Sequence, residues 1–134
     1  MASVAVMTAV KARVDAGFMS IPVYWPNATT KPPAGLVAYV VAEFPIGFGN
    51  QISVGNPGAN RFRETGTIRF VVHVALGSGW EAAAGYADAL AALFRSTQFA
   101  GVTTWTPSPP VAKGEEGGRY VMSFSVPYYF DEIG

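Results

Sequence analysis

Cysteine is absent from the sequence. Its absence excludes disulfides, thiolate nucleophiles and zinc–thiolate sites, and leaves no redox compartment to be read from the chain. Charge is scarce as well: nine basic and nine acidic side chains make up 13% of the residues and cancel to zero. A balanced chain lacks the long-range positive field that drives non-specific nucleic-acid binding, so DNA binding as the main activity is excluded. Long apolar runs are missing too. No stretch reaches the roughly 18 apolar residues of a membrane-spanning helix. Lys11, Arg13 and Asp15 interrupt the N-terminal apolar segment before it could serve as the core of a signal peptide. A protein made in the cytoplasm, with no membrane partner, is expected.

The chain is nevertheless rich in core-forming material, with half of its 134 residues hydrophobic. That combination opposes disorder and fits one domain over residues 1–134. A charged fraction about half the usual ~25% leaves less polar surface than a solitary protein carries, which points to self-association.

Val6, Val10, Val14 and Phe18 recur at four-residue steps and predict an amphipathic helix from Ser3 to Phe18. Pro22 and Pro26 bracket Val23, Tyr24 and Trp25 as an edge strand at most, and Pro32 and Pro33 mark a loop. Leu36 to Phe44 reads as a strand covered on both faces. Thr67 to Leu76 alternates, with Ile68, Phe70, Val72, Val74 and Leu76 on one side. Ser78 and Glu81 have capping-box spacing and predict a helix from Gly79 to Ser96, with Trp80, Ala83, Ala84, Ala87, Leu90, Ala91 and Phe94 as its apolar stripe. A short strand around Gly101 to Trp105, a proline-rich turn and a polar GEEGG segment follow. The closing strand, Arg119 to Phe130, places Tyr120, Met122, Phe124, Val126, Tyr128 and Phe130 on one face. The fold class expected is α+β: a mixed or antiparallel sheet of four to five strands with two helices packed on it.

Between Pro45 and Arg63 the sequence PIGFGNQISVGNPGANRFR carries four glycines and two prolines and predicts a long mobile loop. It holds Ile46, Phe48, Ile52, Val54 and Phe62 beside Arg61 and Arg63. Arginine with an aromatic could stack on nucleic acid, but the same trio suits a protein interface better in an uncharged chain. These seven residues are the expected contact surface.

No catalytic, metal or cofactor site is expected. GSGW before a helix could cradle an anion, but it lacks the third glycine of a dinucleotide fingerprint and the Gly-Lys-Ser/Thr of a P-loop. His73 is the only histidine and sits mid-strand without neighbouring ligand types. Glu115 and Glu116, like Asp131 and Glu132, read as solvated surface, since acid–base work needs carboxylates in contrasting environments. The serines of the closing strand lack a nucleophile elbow.

Several segments together resemble phage tail terminator-like proteins: the alanine-rich N-terminal helix, VYWPN, PPAGLVAYVVAEF, the glycine-rich loop, ETGTIRFVVHVALGSGWEAAAGYADALAALF and GRYVMSFSVPYYFDE. The resemblance spans nearly the whole chain. It implies a virion structural protein forming a ring, typically hexameric, on the head-proximal end of the tail tube. Such a ring stops tube growth and offers a head-joining surface. Its partners would be its own copies, the tail tube protein and a head-completion or connector protein, with DNA only as cargo through the lumen. Another head–tail joining or tail completion protein, or a small-molecule-binding domain using a pocket between helix and sheet, are the alternatives.

Overall fold

The computed structural model describes residues 2–26 and 38–134. Pro32 and Pro33, and the first two residues of the strand predicted from Leu36, lie outside the described residues. In chain order the elements are α1 (Val4–Gly17), β1 (Val23–Tyr24), β2 (Ala38–Gln51), β3 (Arg61–Ala75), α2 (Glu81–Phe94), β4 (Gln98–Phe99), β5 (Val102–Thr104), β6 (Val111–Glu116) and β7 (Arg119–Ile133).

Helix α1 buries Val6, Ala9, Val10 and Val14, the stripe that the four-residue spacing predicts, and Phe18 is buried just beyond its end. Helix α2 buries Ala83, Ala87, Leu90, Ala91 and Phe94. Small side chains let the helices approach closely: a Cβ at Gly17 would strike the Leu93 side chain at 2.6 Å. The Arg13 guanidinium donates to the Leu93 carbonyl, occupying one of the acceptors that a helix C-terminus leaves open.

Among the described residues seven strands form one mixed sheet in the order β1-β2-β3-β7-β5-β4, with β6 also paired to β7. Two more strands are present than the upper expectation of five, because β4 and β6 are too short or too polar to show a periodic signal. Among the described residues only the β1–β2 pairing is parallel; the others are antiparallel. Strand β7 pairs with β3 along its whole length. Its other edge is shared by β5, at Tyr128 to Phe130, and β6, at Arg119 to Ser123. The main-chain bonds from Trp105 to Pro127 and from Ser108 to Ser125 join those two pairings.

The helices cover one face of the sheet. Val40, Ala42, Phe44, Ile68, Phe70, Val72, Val74, Phe124, Val126 and Tyr128 meet the helical stripes in a single core. Phe70 lies at its centre, with ring centroids 5.5 Å from Phe94 and 5.4 Å from Phe124. Strand β2 alternates between buried and partly exposed over Ala38 to Phe44, so it is not covered on both faces.

Two local expectations are corrected. Ser78 does not cap α2: its hydroxyl donates back to the Ala75 carbonyl at 2.7 Å, and α2 starts at Glu81 behind Trp80 without a side-chain cap. The cause is Gly79, whose φ of +89° turns the chain between Ser78 and the helix and points the serine at β3. Trp80 (59% exposed) and Leu76 (53%) consequently lie outside the core to which their spacing assigned them.

Candidate functional site: a bare β arm

The predicted loop over residues 45–63 is for the most part a β hairpin. A bulge between Glu43 and Ile46 shifts the register, after which β2 continues against β3, pairing Ile46 with Thr67, Phe48 with Thr65 and Asn50 with Arg63. Only residues 52–60 form the turn. They are held by their own hydrogen bonds, from Ile52 N–H to the Arg61 carbonyl (2.8 Å), from Arg61 N–H to Ser53 Oγ (2.7 Å) and from Asn56 N–H to Asn60 Oδ1 (3.1 Å). Gly55 and Gly58 supply the positive φ values that the turn requires. Glycine and proline suggested a loop, yet extended pairing prevails because β3 and β7 form a long template beside the segment.

The helices end short of this arm. Every β2 residue from Pro45 to Gln51 is exposed, on both faces alike. Phe48 is 65% and Ile46 47% exposed, and Val54 at the tip 85%. Burial of a large apolar side chain is worth about 1.5–3 kcal/mol, and the arm leaves several such side chains in water.

Side chains alternate along paired strands, so Ile46, Phe48, Arg63, Thr65, Tyr129 and Asp131 share the sheet face turned away from the helices. Arg63 is fixed there by a two-pronged pair with Asp131, Nε to Oδ1 at 2.7 Å and Nη2 to Oδ2 at 2.9 Å. Its guanidinium lies 4.4 Å over the Tyr129 ring, and Tyr129 packs against Trp105 at 5.2 Å. The hydrogen bond from Arg63 holds the Asp131 carboxyl below its ordinary range, and the same bond pushes Arg63 up. Arg63 is thus a braced part of an aromatic platform. Ile52, Val54 and Arg61 belong to the turn and its base.

Phe62 faces the helix side instead. With Ala2, Ser3, Gln51, Glu64 and Phe130 it lines an open groove of 610 Å³ where α1 meets the arm. Glu64 anchors that junction: one carboxylate oxygen accepts the Ser3 backbone N–H at 3.1 Å and the Tyr128 hydroxyl. Burial, then the bond to Glu64, pushes the Tyr128 phenol well above its usual value, so it remains a donor. Gly66 must be glycine at this crossing, since a Cβ would collide with the Ile46 carbonyl and, at 2.8 Å, with the Tyr128 hydroxyl. The sequence does not single out Glu64 or Tyr129, reads Tyr128 only as core-facing and Trp105 only as the end of a short strand, and reads Asp131 as solvated surface, whereas it is paired with Arg63. The partners of Glu64, Tyr128 and Asp131 lie far along the chain, and no local pattern announces them.

His73 lies at the other end of the sheet, stacked on Tyr39 at 4.5 Å. Burial pushes its pKa down, so it is neutral, and its Nδ1 has no hydrogen-bond partner among the described residues. Among the described residues no group of three His, Asp or Glu side chains converges as a metal site, and no helix is long and apolar enough to cross a membrane.

Comparison with known proteins agrees with this architecture. The sequence profile of the phage tail terminator protein family matches residues 5–128. No curated protein matches the chain. Among the solved structures similar to this chain is one at 23% identity and a TM-score of 0.63, covering 97% of this chain and 96% of that one. At that identity the likeness is one of fold.

Proposed function

The chain belongs to the phage tail terminator protein family, and from that premise we propose that its copies close into a ring, of six subunits by family likeness, on the head-proximal end of the tail tube. The ring ends tube elongation and offers the surface to which the head is joined. Its partners are its own copies, the tube protein and a head-completion protein, and DNA only passes through the lumen. The work is binding; the family is structural.

The observation that carries this reading is the bare arm, with Ile46, Phe48, Ile52 and Val54 exposed on a stretch that has no charged residue between Phe44 and Arg61. An uncharged apolar projection is a contact surface awaiting a partner. Arg61, Phe62 and Arg63 at its base complete the surface, since arginine and aromatic residues are enriched in protein interfaces. A contact between this arm and a different patch of the next copy is heterologous, the kind that closes rings.

Adding the purified protein to growing tail tubes tests the proposal. Tubes should stop at the length reached on addition, with a ring visible at one end. Tubes that continue to grow, combined with normal-length tails that lack heads when the gene is removed, would make it a joining protein instead.

A further inference from the structure

Among the described residues, β2 beyond Val41 and β6 each have an edge without a partner strand, and these edges lie on opposite sides of the sheet. On β2 the short strand β1 pairs only with Val40 and Val41; beyond them, no strand among the described residues covers the edge as far as Gln51. On the other side β6 pairs with β7 alone. We infer that the subunits of the ring join edge to edge, the free stretch Pro45–Gln51 of one copy pairing with β6, Val111–Glu116, of the next. This rests on the ring reading above and names the contact that builds it.

Strand direction supports a second copy as the occupant. Passing from β2 through β3 and β7 to β6, each neighbour is antiparallel to the last. The direction of β6 is therefore opposite to that of β2. A second copy placed in the same orientation brings its β2 against β6 in antiparallel register and continues the alternation. Copies that keep one orientation around an axis form a heterologous, closing assembly.

The composition of the β2 edge supports the same contact. Natural edge strands are protected by charges, proline, bulges or brevity; past Pro45 and the bulge at its start, Ile46 to Gln51 has no charge, and no strand among the described residues pairs with its outward edge. The bond from Ile52 N–H to the Arg61 carbonyl fixes the phase of the ladder. With hydrogen-bonded and non-bonded pairs alternating, Gly47, Gly49 and Gln51 direct their backbone groups outward. No described residue requires glycine at 49: among the described residues a Cβ there would meet no atom within 4 Å, and its φ is not positive. A strand glycine without an internal reason marks a place where another backbone comes close.

The two edges lie at different heights. Phe48 is level, through Thr65, with Tyr129, whereas β6 is level with residues 119–123, a difference of roughly 25 Å at ~3.3 Å per residue. A ring joined this way carries strands tilted to its axis, the stagger that closing a sheet requires.

The cysteine-free chain allows a direct test by oxidative cross-linking of assembled protein. Double variants combine Gly49→Cys or Gln51→Cys with Lys113→Cys or Glu115→Cys. At least one pair should give a ladder of covalent oligomers up to the full ring on a non-reducing gel, while each single variant stays monomeric. A ring seen by native mass but with no ladder from any pair overturns the edge contact and leaves the ring intact. Dimers from a single β2 variant overturn it in favour of two β2 edges pairing with each other. A protein that is monomeric both alone and on tube ends overturns the ring itself. Gly49→Pro supplies the second measurement: it removes an outward donor that no internal bond uses, so the folded monomer should persist with its circular dichroism unchanged while assembly is lost. Assembly at wild-type level in that variant also overturns the pairing.

Discussion

Strands β2 and β3 each pass through two environments, and the contrast separates what makes the fold from what the fold presents. Under the helices, Val40, Ala42, Phe44, Ile68, Phe70, Val72 and Val74 are buried, and each is apolar because water is excluded there. Past the bulge between Glu43 and Ile46 the same strands carry Ile46, Phe48 and Phe62, equally apolar but exposed. Hydrophobicity in the first half stabilises the monomer. In the second half the helices do not cover it, and on our proposal the same residue types serve contacts with other chains.

The comparison can be broken most strongly at its core end. Phe70→Ala should cost about 3–5 kcal/mol of unfolding free energy, since it empties the space between Phe94 and Phe124; urea denaturation of the monomer measures it. Next comes the junction of the two halves. Gly66→Ala forces a methyl group against the Ile46 carbonyl and the Tyr128 hydroxyl, and the same denaturation curve should show a loss of about 1–3 kcal/mol. At the arm end the signature reverses. Phe48→Asp should leave stability within about 0.5 kcal/mol of the parent, as expected for a surface position, yet reduce assembly by at least about tenfold, read by native mass and tube capping. Equal losses of stability and assembly would erase the distinction between the halves.

The smallest effect concerns acid. Asp131 has its folded pKa held below the unfolded value by Arg63, so its contribution is present above the unfolded pKa, about 4, and is lost as pH falls through the lower folded value. Asp131→Asn should therefore lower the melting temperature slightly at neutral pH, and the difference from the parent should vanish in strong acid. The pair is partly exposed and solvent-screened, so salt should shrink the effect as well.

Much of the covered half was legible because it obeys simple periods. The steps Val6, Val10, Val14 and the alternation from Ile68 to Val74 and from Met122 to Tyr128 each report one buried face. The arm was legible in content but not in form. Its apolar residues and arginines stood out, while its glycines read as loop; pairing with β3, itself paired with β7 to the end, is what extends it. Strand β6 was hidden for a related reason: Val111 to Glu116 is polar and exposed, and it is a strand only because β7 offers it an edge. The links of Arg63 to Asp131 and of Glu64 to Tyr128 span 68 and 64 residues, about half of the chain. Such contacts are set by strand order, which local patterns do not contain. The capping-box spacing misled because one left-handed glycine outweighed it.

The ladder between β3 and β7 has a mechanical meaning. It runs unbroken from Arg61 opposite Ile133 to Ala75 opposite Arg119, joining the arm to the far end of the sheet. A pull along these strands loads the rungs in shear, so that they resist together, whereas a pull across them would open the rungs one after another like a zipper. Tension entering at the arm is thus carried lengthwise through the long β3–β7 pairing before it reaches the helices.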